Sequence, residues 1–167
     1  WSWSWCRELV HDVTLELDGT SVAEDIEFET KINIASEQQF SLATASGKTP
    51  VTVRSFQDKL TSFEFSESTK TITFELPFHW EHAQHVSMVR VDIEIPKSFA
   101  SFQGVNSFKG TVNGVPIFAS GLSIDTYSNQ DTNTLRFVIV GEELKMIEKK
   151  ITDKHIMTVD RKSTRLN

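Results

Sequence analysis

Apolar and polar residues alternate along most of this chain, which is the pattern of β-strands that bury one face and expose the other. The clearest alternation is the stretch VRVDIEI at residues 89–95, and Pro96 ends it because proline donates no hydrogen bond to a strand ladder. Similar patterns predict further strands within residues 13–17, 26–34, 40–44, 51–56, 63–65, 72–76, 122–125 and 135–140.

The strongest turn signal is Asn113-Gly114 between Val112 and Val115. An Asn-Gly pair between apolar residues favours a type I′ turn, because both central positions need a positive φ, so a tight hairpin is predicted here. A helical period appears only over residues 142–151, which begin with two acidic residues, as the first turn of a helix prefers. One further helical turn is predicted over residues 81–86.

Short strands at intervals of roughly 8–12 residues, with few helices, are typical of an antiparallel β-sandwich. The sequence therefore predicts an all-β fold, an antiparallel β-sandwich of the Ig-like or Greek-key type with a short C-terminal helix. Large side chains are needed to fill the space between two stacked sheets. The aromatic residues expected in this core are Phe28, Phe40, Phe56, Phe63, Phe65, Phe74, Phe78, Trp80, Phe99, Phe102, Phe108, Phe118 and Phe137.

A weak boundary near residues 36–39, where a polar run interrupts the strand pattern, divides the chain. Residues 1–7 are interpreted as a doubtful leader. Residues 8–39 are predicted to be an N-terminal β-hairpin, either an edge of the sandwich or the tail of a preceding domain. Residues 40–151 are assigned to the β-sandwich domain and residues 152–159 to a tail.

The last eight residues, DRKSTRLN at 160–167, are the translation of GAT CGG AAG AGC ACA CGT CTG AAC, which matches a common sequencing adapter. We therefore expect residues 160–167 to be an adapter artefact, and they are set aside from the fold prediction as a fusion scar would be. A signal peptide, a membrane anchor or flanking domains are then expected to lie outside this fragment.

Charge and composition restrict the classes of partner. The net charge is −6 and the pI is about 5.4, with no Lys/Arg stripe, so nucleic acid is a poor partner because phosphate binding needs a basic footprint. No apolar run reaches the roughly 18 residues of a membrane-spanning helix, so a membrane is expected to be reached only through an anchor outside this fragment. The single cysteine, Cys6, excludes an internal disulfide framework and a CxxC zinc site.

Several short motifs carry a resemblance to a known family. They are FSL at 40–42, LTSFEF at 60–65, TKTITFEL at 69–76, IEIPKSF at 93–99 and TVNGV at 111–115. Together, over about residues 40–147, they resemble an uncharacterised β-sandwich module of secreted and surface-anchored archaeal proteins, and the Pro77-Phe78-x-Trp80 stretch is most similar to proteins of ammonia-oxidising archaea. The resemblance implies an extracellular or cell-surface location and transfers no catalytic residues.

The richest group of ligand-forming side chains is His79, Glu81, His82 and His85. Imidazole and carboxylate groups suit Zn, Cu or Ni, so these four residues are the candidate metal ligands. In an α-helix, three histidines at i, i+3 and i+6 fan over about 120°, which makes convergence on one ion difficult. The alternative interpretation is a solvated loop beside a buried Phe78 and Trp80, and no cofactor is predicted with it.

Two other kinds of site are weighed against ordinary structural roles. The oxygen-rich loop at 125–133 contains calcium-ligand types, but its spacing is not that of an EF-hand, and a polar turn needs the same residues. Glycan binding needs exposed aromatic rings, for which only Tyr127 and Trp80 could serve. Nucleophile elbows of the GxSxG type and glycine-rich phosphate loops are absent from the sequence.

The sequence thus favours a non-enzymatic, extracytoplasmic β-sandwich module with a structural, adhesive or protein-interaction role at the cell envelope. Its expected partners are other envelope proteins or a second copy of itself. The alternative is a ligand-binding domain, for a metal through His79, Glu81, His82 and His85, or for a glycan.

Overall fold

Two units make up the chain, residues 1–34 and residues 35–167. The computed structural model of the protein describes residues 7–17, 20–32, 35–45, 47–102, 105, 107–152 and 155–164. The doubtful leader at 1–7 lies outside these residues except for Arg7. In the first unit, β1 (Arg7–Leu17) pairs antiparallel with β2 (Thr20–Ile32), with irregular register near Leu15. The alternation at 13–17 and 26–34 predicts this pair of strands.

The second unit contains two five-stranded antiparallel sheets. Sheet I has the order β10-β11-β7-β4-β3 and sheet II the order β5-β6-β12-β8-β9. The strands of sheet I are β3 (Ser36–Thr44), β4 (Gly47–Ser55), β7 (Met88–Pro96), β10 (Leu122–Asp125) and β11 (Thr132–Val140). Those of sheet II are β5 (Ser62–Ser66), β6 (Thr71–Pro77), β8 (Ser107–Val112), β9 (Val115–Pro116) and β12 (Ile156–Thr164).

One hydrophobic core lies between the two sheets, and both sheets contribute every second side chain to it. Phe74 of β6 and Phe137 of β11 are fully buried and meet edge to face, with ring centroids 5.5 Å apart. Edge-to-face contact is a favoured geometry for aromatic pairs and adds to the free energy of burial. The prediction of an all-β sandwich is therefore confirmed.

Most of the aromatic residues predicted for the core are buried or packed against it. Phe118 is an exception, with 55% of its surface exposed. It lies two residues after Pro116, the last residue of β9, and directly before the 3₁₀ helix Ala119–Gly121, so no strand turns it inward. Phe56 is half-buried, and the guanidinium of Arg90 lies 4.5 Å from its ring centroid. Phe28 lies outside the residues whose side chains are described.

The predicted turn and helix are both present. Asn113 and Gly114 have φ values of 47° and 77°, as a type I′ turn between β8 and β9 requires. The helix α1 spans Gly141–Glu148, and two further 3₁₀ helices lie at Trp80–His85 and Ala100–Phe102. In α1, Glu143 is buried because its carboxylate accepts a hydrogen bond from the backbone N–H of Phe118.

The structure differs from the sequence-based division at both ends of the sandwich. Residues 36–39, predicted to end the N-terminal hairpin, are the first residues of β3 in sheet I. Residues 156–164 form β12, which lies in the middle of sheet II and pairs with both β6 and β8. With residues 160–167 set aside because of the adapter match, Met157 and Val159 are the only apolar alternation left, so the sequence predicts no more than a tail at 152–159. The match of residues 160–167 to a sequencing adapter concerns the encoding DNA, so the adapter origin of these residues stays a prediction. Residues 165–167 lie outside the described residues.

Arg161 occupies an inward position of β12 that follows Met157 and Val159 on the same face. Only 1% of its surface is exposed, and its guanidinium lies 4.0 Å from the centroid of the Phe108 ring. Its Nη1 and Nη2 donate hydrogen bonds to the carbonyl oxygens of Arg136 and Ser123, at 3.2 and 2.8 Å, whereas its Nε has no hydrogen-bond partner among the described residues. Burial lowers the pKa of Arg161 to about 9, so a cation stands where the strand pattern calls for an apolar side chain.

The contact between Phe74 and Phe137 gives a direct test of the two-sheet core. Replacing Phe74 by alanine is expected to reduce the free energy of unfolding by about 3–5 kcal/mol, because it removes a buried ring and leaves a cavity. Phe118→Ala is the matched control and should cost less than about 1 kcal/mol, since that ring is largely in water. Urea unfolding followed by far-ultraviolet circular dichroism measures both changes, and equal losses would contradict this core.

Arg161 generates a second prediction. Arg161→Met should increase the free energy of unfolding at pH 7 by ~1–3 kcal/mol, because a buried cation without a carboxylate partner is replaced by an apolar side chain. The folded-state pKa of about 9 lies well below the usual pKa of an arginine, which the unfolded chain retains. The wild type therefore regains stability as the pH rises above 9, and the difference between the two proteins should shrink. Denaturant unfolding at pH 7, 9 and 10.5 measures this difference, and a less stable methionine variant at pH 7 would refute the prediction.

Candidate functional site

The predicted ligand segment forms a short 3₁₀ helix that packs on the sandwich through one side. In this helix, Trp80–His85, Trp80 and Ala83 are fully buried. The Trp80 ring meets Phe78 edge to face, with centroids 4.7 Å apart. His79, Glu81, His82 and His85 all lie on the exposed side. The expected arrangement of exposed polar groups beside a buried Phe78 and Trp80 is present.

Two hydrogen bonds fix this helix against the start of β12. The indole Nε1 of Trp80 donates to the carbonyl oxygen of Ile156 at 3.0 Å. The backbone N–H of Phe78 donates to the carbonyl oxygen of His155 at 3.2 Å. Since Ile156 is also paired with Pro77 across the β6–β12 ladder, residues 155 and 156 are held beside the beginning of the helix.

Three of the four predicted ligands are close together, and an unpredicted histidine joins them. The ring centroids of His79 and His82 are 6.3 Å apart, and so are those of His79 and His155. The Nδ1 of His79 lies 3.5 Å from the Oε1 of Glu81. His155 is missing from the sequence-based set because only the pairing of β6 with β12 brings it near His79, and no local pattern predicts that pairing.

His85 lies apart from this group. A 3₁₀ helix aligns residues three apart on one face, but its rise of ~2.0 Å per residue separates His79 from His85 by roughly 12 Å. The Nε2 of His85 contacts the amide nitrogen of Gln84 at 3.1 Å. His85 also lines an open depression of about 440 Å³ with residues of the loop after the helix and of α1. Metal binding through all four predicted ligands stays a prediction, and this separation opposes it.

The donor atoms of the described residues do not converge on a single point as the side chains stand. No three His, Cys, Asp or Glu side chains among them form a group that could hold a metal ion without rearrangement. A second open depression, of about 350 Å³, lies near the same end of the sandwich and is lined by residues that include Glu75, Asn113 and Ile156. Its lining is mainly polar and comes from β6, β12, the Asn113 turn and the segment that follows α1.

The oxygen-rich loop uses its oxygens within its own turn. The Asp125 carboxylate accepts hydrogen bonds from the backbone N–H groups of Tyr127 and Ser128, both at 3.0 Å, and from the Ser128 hydroxyl. These three hydrogen bonds lower the pKa of Asp125 to about 2, and the bond from the Ser128 hydroxyl contributes most. The Asn129 side chain accepts a hydrogen bond from the backbone N–H of Asp131. This is the arrangement of an Asx turn.

The outer face of sheet I carries a charge-balanced group of side chains from neighbouring strands. Asp92 pairs with Arg90 at 2.6 Å and with Arg136 at 3.4 Å. On the same face, Arg54 of β4 pairs with Glu37 of β3 and with Glu94 of β7. Pairs near the surface contribute about 0–1 kcal/mol each, so this face is polar and of mixed sign. Its members are Glu37, Arg54, Arg90, Asp92, Glu94 and Arg136.

The aromatic residues considered for glycan binding are in different environments. Trp80 is fully buried, whereas Tyr127 is 94% exposed at the tip of the β10–β11 loop. A glycan platform therefore retains only Tyr127 of the two. Within the described ranges, no helix has the length and apolar character needed to cross a bilayer.

Comparison with known proteins gives no relative: no protein-family model, curated protein or solved structure matches this chain.

The hydrogen bonds to Asp125 predict the pH at which its turn opens. Because the carboxylate form is stabilised, the turn should persist below the ordinary aspartate pKa of 3.8 and open only as the pH falls through about 2. Titration of the Tyr127 and Ser128 amide signals by NMR measures the midpoint. Ser128→Ala should raise that midpoint, because it removes the hydroxyl donor. A wild-type midpoint near 3.8 would contradict this arrangement.

Proposed function

We propose that this chain is a non-enzymatic, extracytoplasmic β-sandwich module with a structural, adhesive or protein-interaction role at the cell envelope. Its partners are a second copy of the chain or other envelope proteins. The motifs that resemble secreted and surface-anchored archaeal modules support the location, and the acidic charge with no basic stripe argues against nucleic acid.

The observation that carries the proposal is the open edge of β3. Within residues 35–164, β3 is an end strand of sheet I and pairs with β4 alone. It is nine residues long, and Gln39, Ser41 and Ala43 expose uncharged side chains along it. An edge strand of this kind offers unpaired backbone N–H and C=O groups to another strand, which is how β-sheets recruit partners.

The body behind this edge suits a scaffold. One core joins both sheets, and Gln38 of β3 links them further, since its side chain exchanges two hydrogen bonds with the backbone of Leu60, at 3.1 and 2.7 Å. The described depressions are open rather than enclosed, with volumes of about 350 and 440 Å³. A rigid scaffold that presents an edge and loops fits contact with macromolecules better than enclosure of a small substrate.

A ligand-binding domain is the second candidate function. The glycan form of this alternative depends on Tyr127, because Trp80 is in the core. The metal form has a specific observation in its favour: the rings of His82 and His155 both lie near His79, whose Nδ1 is close to Glu81.

Charge placed on the β3 edge tests self-association. The double substitution Gln39→Lys, Ala43→Lys should weaken self-association at least tenfold, because lysines on an edge strand oppose strand pairing. The matched control is Gln130→Lys, Ala119→Lys, which makes the same exchanges at exposed positions outside β3 and should leave association unchanged. Sedimentation equilibrium of the three proteins gives the dimer dissociation constants.

Two outcomes would contradict self-association through the β3 edge. The first is a wild-type chain that stays monomeric up to about 1 mM, a concentration at which even weak complexes form. The second is equal association of the edge variant, the control variant and the wild type.

A further inference from the structure

Three imidazoles and one carboxylate lie near one another at the end of the sandwich. His79 lies 6.3 Å, ring centre to ring centre, from both His82 and His155, and its Nδ1 is 3.5 Å from Glu81. The side chains of His79 and Glu81 are 68% and 49% exposed, so they are free to change rotamer. This group of residues will be called the histidine cluster: His79, Glu81, His82 and His155.

The backbone beneath the histidine cluster is fixed from both sides. His82 N–H donates to the carbonyl oxygen of His79 at 2.9 Å, which sets these two residues one 3₁₀ turn apart. His155 is held by the bond from Phe78 N–H to its own carbonyl oxygen. The buried indole of Trp80, bonded to Ile156, locks the two segments together. A preformed backbone lowers the entropy cost of assembling a site.

The ring spacing is close to that of histidines sharing one metal ion. With Zn–N bonds of ~2.0–2.1 Å and tetrahedral angles, two ligating imidazoles have ring centres about 5 Å apart. Each observed separation of 6.3 Å exceeds this by about 1 Å, which a rotation of exposed side chains can close. Three imidazoles and one carboxylate would supply three nitrogens and one oxygen, a complete tetrahedral set.

The electrostatics of the histidine cluster favour a cation. The pKa of Glu81 is lowered by a hydrogen bond from its own backbone N–H, and then by His79, His82 and His155. The ionised form of Glu81 is therefore favoured, and this carboxylate supplies the negative charge of the donor set.

We propose that His79, His82 and His155, together with Glu81, bind a divalent first-row transition-metal ion, with Zn²⁺ as the ion best suited to this donor set. Binding rotates the exposed side chains onto the ion and releases the protons of any protonated imidazole. The site joins the 3₁₀ helix to the start of β12. It does not depend on the role proposed above for the β3 edge. His85 is not a ligand, because it lies too far along the helix from His79.

Zinc titration of the full chain tests the site, with the protein purified without a polyhistidine tag and in a Cys6→Ser background. A chromophoric chelator that competes for Zn²⁺ at pH 7.4 reports the affinity and the stoichiometry. His79→Ala, His82→Ala and His155→Ala are the site variants. His85→Ala and His11→Ala are the matched controls, each of which removes one imidazole elsewhere in the chain. Circular dichroism of each metal-free variant checks that the fold is retained.

The expected result is one equivalent of Zn²⁺ bound at micromolar or lower concentration. Each site variant should weaken binding at least tenfold, whereas both controls should stay within twofold of the parent. Co²⁺ in place of Zn²⁺ should give the visible absorption of a tetrahedral site, and this absorption should be lost in His155→Ala. Binding should also weaken in acid, because protons compete with the metal ion for the ligand atoms.

Three results would overturn the proposal. One is the absence of any binding below about 100 μM Zn²⁺. Another is equal weakening by every histidine variant, which would indicate scattered surface contacts. The third is loss of affinity in His85→Ala with no change in His155→Ala, which would favour the four-residue set His79, Glu81, His82 and His85.

Discussion

Burial of every second side chain between two sheets is the constraint on which the structure of residues 35–164 depends. An antiparallel strand that buries one face must be covered by another layer, and here the cover is a second five-stranded sheet. The edge-to-face contact of Phe74 with Phe137 crosses that interface. The strand order, the anchoring of the 3₁₀ helix and the exposure of the β3 edge all follow from how these two layers are assembled.

The same assembly determines which polar side chains reach the surface together. Because Trp80 is drawn into the core, the residues on either side of it are turned to the surface. The partner of its indole is the carbonyl oxygen of Ile156, so the histidine before Ile156 comes to lie beside His79. In the oxygen-rich loop, by contrast, the Asp125 carboxylate accepts its hydrogen bonds from within its own turn.

Local signals in the sequence predicted much of this fold. The stretch at 89–95 is β7, Asn113-Gly114 makes the tight turn, and the acidic start of residues 142–151 marks α1. Phe118 was wrongly placed in the core because Ile117 and Phe118 were expected to continue the return strand, whereas β9 ends at Pro116. β12 was not predicted, because residues 160–164 were set aside with the adapter match and Met157 and Val159 alone are too short an alternation. The cluster containing His155 depends on that same long-range pairing, which no local period encodes.

The most direct test of this account is the position of β12, measured by NMR in the full chain. The account predicts nuclear Overhauser contacts from the backbone of Val159 to Phe74 on one side and to Val112 on the other, matching its pairing with β6 and β8. It also predicts slow exchange of the β12 amide hydrogens with solvent, as in a central strand. Absence of these contacts, with amides that exchange as fast as in an unfolded tail, would contradict both the five-stranded sheet and the histidine cluster built upon it.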